Sequence, residues 1–432
     1  IAVAYPLIID LNRLGDLPAG YSTAVNTGAI HRPTVSRRRR LLRASAPLLF
    51  GVIGAGAIGL PLAASLIDTQ ADHPGRFSVV LWVGWIITAV LTALVGVHFL
   101  QRVLSSPSAV LAMAYDALPI LLVGAWLLVI PALATGHHLL GALTIVLCVY
   151  HMHLVVPRFR TAPVPRWVAD APAFTLCVAN VYVDNPTPAQ SARALIAAGA
   201  DVIVIVESTP KFIREFDAAG GADLYPNRVS DPQDSSDYAV TIVSRLTLAD
   251  GSAAERHGDL RLMRAVVDVG VPVQVLGVNP MATVDPGGYT IARAQLRDLA
   301  RLVRQERGPL LVAGDLNMSR YRPEFAALLA SGLHDVHDTL GKGLSMSFKL
   351  RASGWLAAFG PVARLDHALA SPDLHPLAVT ELDANGSDHV PFVVTLAVRE
   401  GSRSEASRSE GSRSEVSRPE VCAAGFGADA LG

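Results

Sequence analysis

The sequence predicts a two-part chain, with transmembrane helices toward the N-terminus followed by an α+β sandwich domain. Three observations carry this reading. The 432 residues are 51% hydrophobic and 17% charged, with the apolar residues concentrated between about 46 and 156. From Phe174 onward, short β-rich runs alternate with amphipathic helical patterns. After Val398 a Gly-Ser-Arg-Ser-Glu motif repeats with variation to Glu420, almost without apolar residues. Such a composition cannot bury a core and reads as a disordered tail over 400–432. The whole is too apolar for one soluble globule and too patterned for a disordered chain. A formal net charge of −1 supplies no global basic field for nucleic acid. Cys148, Cys177 and Cys422 are spaced for neither a disulfide framework nor a zinc cluster.

Residues 1–36 lack sustained periodicity and are expected to be poorly ordered, ahead of a natural start near Thr34-Val35-Ser36. Arg37 to Arg40 with Arg43 precede an apolar run, the pattern of an uncleaved signal anchor. Within 37–156 four segments approach the ~20 residues a bilayer requires: Ala46–Ile67, Phe77–Leu100, Ala117–Ala134 and His138–Val156. The third is short and carries Pro119 and Pro131; the fourth carries His151 and His153, so a count of three is the alternative. Gly54, Gly56 and Gly59 match a dinucleotide fingerprint on paper, but a span lacks the βαβ unit that fingerprint needs, and close helix packing is the better reading. The arginine cluster places the N-terminus in the cytoplasm. Four spans would then leave the C-terminal domain cytoplasmic and three would leave it outside; either way the chain reads as an integral plasma-membrane protein in contact with the lipid bilayer.

Residues 157–172, with four prolines and three arginines, read as a linker. In the following domain, 173–399, strands are expected at Thr175–Tyr182, Val202–Val206, Ala239–Val243, Val273–Val278 and Leu310–Ala313. Helices are expected at Pro188–Ala198, Thr290–Arg304 and Pro323–Ala330. Helices separate some strands but not all, which favours an α+β sandwich over a doubly wound sheet.

Polar groups stand where buried strands emerge: Asn180, then Glu207, then Gly314-Asp315-Leu316-Asn317, then Arg364-Leu365-Asp366, then Gly386-Ser387-Asp388-His389. Singly, an Asp after a strand is more often a turn or cap residue than a catalytic one. Taken in order, the set resembles the endonuclease/exonuclease/phosphatase family with the DNase I-like fold, over Phe174 to Val398. The segments "YAVTIVSRLTL", with Ser244 and Arg245, and "SGLHDVHDTLGKG" add to the resemblance, and spans followed by this domain resemble its membrane-anchored bacterial branch. The resemblance implies a four-layered α/β/β/α sandwich and a metal-dependent hydrolase.

Cleaving a phosphoester requires a divalent metal for the charged oxygens, a base for water and donors for the transition state. By resemblance, Glu207 is the principal Mg²⁺ ligand (Mn²⁺ as substitute), helped by Asn180 and Asp388. Asp315 orients or deprotonates water, and Asn317 holds Asp315 and the phosphate. His389 donates to a phosphate oxygen, and Asp366 pairs with His389 and keeps it protonated. One departure stands out. Asn279, in "VQVLGVNPMA", occupies a position where the family usually has His or, in one branch, Tyr. An amide donates a hydrogen bond but gives up no proton at neutral pH. Either the residue only stabilises charge and activity survives reduced, or general-acid work is lost.

Other features carry bland readings. His334-Asp335-Val336-His337-Asp338 sits in a surface-loop segment; His151 and His153 point to different helix faces. Trp355 and Phe359 are core or substrate wall, and Arg320 and Arg322 meet phosphate or solvate a helix start. From Asp170 to Val398 there are 26 acidic and 19 basic residues, with no basic stripe for a nucleic-acid duplex. The reading is therefore a metal-dependent phosphoesterase of open substrate (nucleic acid, lipid headgroup or small phosphoester). The alternative is a weak or inactive membrane-tethered binding module. No obligate protein partner is implied.

Overall fold

The computed structural model describes residues 79–104, 109–134, 136–231, 238–350 and 360–400. The expected span Ala46–Ile67, the Arg37–Arg43 cluster, the glycines 54, 56 and 59, Trp355, Phe359 and the tail beyond 400 lie outside the described residues.

The apolar region contains helices Val79–Leu104, Ala109–Asp116, Leu118–Ala134 and His138–Val155. Among the described residues one helix, His138–Phe159 with its 3₁₀ extension, is long and apolar enough to cross a membrane. A second qualifies if Ala109–Asp116 and Leu118–Ala134, bent by 67°, count as one span. Leu91, Tyr115, Leu118, Leu122 and Leu147 form the buried seam between these helices, while Val90, Leu127, Ile130, Val146 and Val149 are exposed. His151 accepts a hydrogen bond from Trp126 Nε1 at 2.9 Å, in keeping with a packed histidine.

Two six-stranded sheets follow. The first has the order β11-β12-β1-β2-β4-β3 and the second β5-β6-β7-β8-β10-β9. In chain order the strands are β1 Ala173–Asn180, β2 Val202–Val206, β3 Asn227–Ser230, β4 Val240–Ser244, β5 Ala253–His257, β6 Leu260–Asp268, β7 Pro272–Val278, β8 Leu310–Asp315, β9 His334–Asp335, β10 Asp366–Ala370, β11 Leu374–Glu381 and β12 Phe392–Val398. Among the described residues β1–β2 and β7–β8 pair in parallel and the remaining strand pairs are antiparallel. Each parallel pair is joined through a helix that covers its outer face.

Three apolar layers show how the stack is held. Between the sheets lie Val178, Val204, Ile242, Val275, Leu311 and Val394 among others. Outside the first sheet, Ala192, Leu195, Phe212 and Phe216 cover Cys177, Ile203 and Ile205. Outside the second, Leu296, Leu299, Val303 and Phe325 cover Leu276, Val312 and Leu369. The result is a mixed α/β two-sheet sandwich with helices on both outer faces, consistent with the DNase I-like fold. Covering on both faces explains why β2 reads Val-Ile-Val-Ile-Val, every residue buried. The stripe Ala292, Leu296, Leu299 and Val303 gives helix Pro286–Gln305 its inward face. That helix starts four residues before the expected Thr290. Asp285 caps it, accepting from Gly287 N at 2.7 Å and Gly288 N at 3.0 Å, so an apparent turn is the first turn of helix.

The Pro/Arg segment expected as a spacer is seated on the sandwich. Ala162 N donates to Thr339 O at 2.8 Å, Gly343 N to Arg158 O at 2.7 Å, and Arg158 Nη1 lies 3.3 Å from Asp338 Oδ2.

Candidate active site

The sheet registers place the strand-end residues side by side. Asn180 is the parallel partner of Val206, one residue before Glu207. Asp315 and Asp366 are direct antiparallel partners across β8 and β10, and Val278, the residue before Asn279, pairs with Gly314. Gly314 has φ +143°, and a Cβ there would lie 2.0 Å from Val278 O. Only glycine permits β7 and β8 to close at that point, which is the local reason for Gly before Asp315.

Asn180 joins the two sheets. Its Nδ2 donates to Glu207 Oε1 at 2.9 Å and to Asp315 Oδ2 at 3.0 Å, while its Oδ1 accepts from Tyr182 N at 3.0 Å. Val183 N donates to Glu207 Oε2 at 2.6 Å. Asn317 N donates to Asp315 Oδ1 at 2.8 Å, and Asn317 Nδ2 reaches Asn279 Oδ1 at 3.2 Å and Pro280 O at 3.0 Å. His389 Nδ1 is 2.6 Å from Asp366 Oδ2, and its Nε2 is 3.7 Å from Asp315 Oδ2. Seven of the eight expected residues therefore form one connected set. The eighth, Asp388, precedes His389 in the chain, and its charge helps to raise the His389 pKa.

Two of these residues have left-handed backbone, Glu207 at φ 58° and Asn317 at φ 49°. Asn tolerates that region; for Glu it costs free energy, and such strain collects at functional sites. Electrostatics follow from burial. It pushes the Glu207 carboxyl up to about 7, against the hydrogen bonds from Asn180 and Val183. It pushes Asp315 up to about 6, against the opposing pull of His389. For His389 burial acts downward, but the Asp366 and Asp315 carboxylates outweigh it and raise the imidazole to about 10.

Several expectations change. Asn180, expected beside the metal, directs its NH₂ to the Glu207 and Asp315 carboxylates. Arg322 is buried, donating Nη1 to Asn317 O at 3.0 Å with Nε 3.7 Å from Asp116 Oδ1. Arg320 pairs with Asp338. Neither arginine solvates a helix start or faces the site as a phosphate contact. In the His/Asp-rich segment, Asp335 is buried against His367 and Arg364, and His337 packs edge-on to Phe392. Among the described residues the group spaced to hold a metal is Asp315, Asp366 and His389, with ligand atoms within 4.8 Å.

The sequence reading missed three supports. Ser347 Oγ accepts from Leu365 N and Asp366 N at 3.0 and 3.1 Å. The Phe348 ring lies 5.2 Å from the His389 ring, and Ser387 Oγ donates to Asn180 O at 2.7 Å. Ser347 and Phe348 carry no local signal, whereas Ser387 lay inside a segment already singled out.

The strand ends of a two-sheet sandwich thus gather carboxylates, amides and an imidazole in one connected set. Residues 177–389 match the model of the Endonuclease/Exonuclease/phosphatase family, which supports that family and its DNase I-like fold for this part of the chain. No curated protein matches. Similar solved structures include an endonuclease/exonuclease/phosphatase from Beutenbergia cavernae, at 17% identity, covering 52% of this chain and 72% of that one with a TM-score of 0.40. A humanized D. rerio TDP2 is 19% identical over 53% of this chain and 100% of its own, with a TM-score of 0.43. Sphingomyelinase C from Streptomyces griseocarneus is 19% identical over 52% and 99%, with a TM-score of 0.38. At these scores the likenesses assign neither substrate nor activity.

Proposed function

We propose that the sandwich is a divalent-metal-dependent phosphoesterase that hydrolyses a phosphodiester or phosphomonoester by attack of water, held at a membrane by the N-terminal helices. The observation that carries this is the Asn180 amide, which draws Glu207 of one sheet and Asp315 of the other to within 3.0 Å of one nitrogen. Half-buried Glu207 and buried Asp315, both with raised proton affinities, mark a site short of positive charge. Hard oxygens in that state suit Mg²⁺ or Mn²⁺.

Glu207 would be the principal holder of the metal, with Asn180 beside it and Asp388 as the further ligand that the family resemblance implies. The trio Asp315, Asp366 and His389 has suitable spacing, but His389 Nδ1 is engaged by Asp366 at 2.6 Å. An imidazolium donates and does not ligate. A metal held by Glu207 would supply Lewis-acid stabilisation of phosphoryl oxygens. Asp315, raised toward neutrality and aligned by Asn317 N–H, orients water and accepts its proton. His389, kept protonated by Asp366, donates to a non-bridging phosphate oxygen. Asn279 braces Asn317 through its carbonyl, which supports an enzyme at reduced activity over the inactive binding module.

The acidic excess of the domain disfavours a nonspecific duplex nuclease, so a lipid headgroup or small phosphoester leads among substrates. The exposed apolar faces of the helices support the membrane anchor. The test is Mg²⁺-dependent turnover of a generic phosphodiester by the full chain in detergent, with Glu207→Ala as the blank, then a panel of nucleic acid, phosphoinositide and sphingomyelin. Wild-type rates equal to the blank on every substrate would overturn the reading.

A further inference from the structure

The helix Ala109–Asp116 ends against the loop that follows β8. Ala109 and Ala112 pack against Tyr289 in the first turns of helix Pro286–Gln305. At its C-terminus, Asp116 Oδ1 accepts from Ser319 N at 2.7 Å, and Ser319 Oγ donates to Tyr115 O at 3.4 Å. Asp116 Oδ1 also lies 3.7 Å from Arg322 Nε, and Arg322 Nη1 donates to Asn317 O at 3.0 Å. Asp116, Ser319 and Arg322 are each at most 9% exposed. A carboxyl group 203 residues away in sequence thus meets the middle of the loop after β8 at Ser319 and its C-terminal end at Arg322. That loop carries Asn317, whose N–H and side chain align Asp315 and Asn279.

We propose that Asp116 is a positioning residue, through which the seated helical region sets the pose of the Asn317–Arg322 loop and hence the rate of the hydrolytic site. This rests on the function proposed above. The physical case is that the buried Ser319 N–H takes its acceptor from outside its own segment and the buried Arg322 guanidinium lies beside the same carboxyl group. Without Asp116 the N–H loses its acceptor and Arg322 loses the carboxyl group beside it, so the loop is free to shift. Displacing an aligned group by about 1 Å from a remote position can cost on the order of a hundredfold. The same contacts account for an acidic side chain at the end of an apolar helix.

The experiment uses the full chain in detergent. Asp116→Ala and Asp116→Asn are each compared with wild type, alone and combined with Asn317→Ala, by kcat, KM and amide hydrogen exchange over 317–322. Asp116→Ala should lower kcat by roughly ten- to a hundredfold with KM within about threefold. Asp116→Asn keeps an acceptor for Ser319 N–H and should recover to about two- to fivefold below wild type. In the Asn317→Ala background Asp116→Ala should cost less than about threefold more, because both act through one loop. The Ser319 amide should exchange at least about tenfold faster in Asp116→Ala. Additive losses, or wild-type kcat and exchange in Asp116→Ala, would overturn the proposal. Should Asp116→Ala fail to accumulate, Asp116→Asn carries the test, and wild-type kcat with unchanged exchange overturns it. If wild type turns over no phosphoester, the functional reading falls while the exchange arm still decides whether Asp116 holds the loop.

Discussion

Asp335→Ala should be among the most destabilising single changes in the sandwich. Asp335 Oδ2 lies 3.0 Å from His367 Nδ1, and Oδ1 lies 3.4 Å from Arg364 Nη1 and accepts from Asp338 N at 3.0 Å. Both Asp335 and Arg364 are buried, so truncation strands a guanidinium in a low-dielectric interior. Breaking a buried pair in this way costs about 3–5 kcal/mol. At roughly 2–4 °C per kcal/mol for a domain of this size, Tm should fall by about 6–20 °C. Asp335→Asn keeps the size and the acceptor for Asp338 N–H and should lose about half as much. The pH dependence has a definite sign. Burial alone would raise the Asp335 pKa, but the hydrogen bond from His367 and the charge of Arg364 outweigh it and hold the carboxyl well below the usual carboxylate range. A depressed pKa contributes stability that is fully present above the unfolded value of about 3.9 and is lost as pH falls toward the folded value. The Tm gap between wild type and Asp335→Asn should therefore stay level from pH 5 to 7 (roughly) and shrink below about 4. The assay is thermal unfolding of the full chain in detergent across that range. A fall under about 3 °C for Asp335→Ala, or a gap that widens in acid, would refute the reasoning.

Three further outcomes are expected. Mg²⁺ at a hundredfold excess over its Kd should stabilise the wild-type chain by about 2.7 kcal/mol, and Glu207→Gln should remove most of that shift in a thermal assay. An equal shift in the mutant would place the metal elsewhere. Asp315→Asn and His389→Ala should each lower kcat by roughly 10²–10⁴ with smaller changes in KM; steady-state losses below tenfold at both would end the assigned mechanism. Asn279→His should raise kcat/KM by about three- to thirtyfold, which is roughly 0.7–2 kcal/mol of barrier. A folded mutant no faster than wild type at any pH would mean that Asn279 is not a degraded proton donor.

The sequence by itself determined the interior strands β1, β2, β4, β7 and β8 and the residues that end them, whereas interior β6 was not among the expected strands. β1, β2, β7 and β8 are buried on both faces, so their apolar runs are visible without any partner, and the residues that end them announce where polar groups surface. β5 and β11 stayed hidden for the opposite reason: β5 carries Glu255, Arg256 and His257 at an open edge, and β11 contains Pro376 beside a register shift. Neither looks like a strand until its neighbour supplies the hydrogen bonds.

The tertiary structure decided what each polar group does once it arrives. Local pattern shows that Asn180, Glu207 and Asp315 end strands, but only the packing of one sheet on the other turns the Asn180 NH₂ between two carboxylates. Arg320 and Arg322 follow the Gly-Asp-Leu-Asn motif closely enough to suggest phosphate contacts, yet Asp338 and Asp116 take them up. Asp116 itself was legible only as a charge at the end of an apolar stretch. Its role depends on a contact across 203 residues of sequence, set by the fit of helix Ala109–Asp116 against Tyr289. Hydrophobic period reports whether a residue will be buried; which charge meets which depends on surfaces that come together only when the layers close.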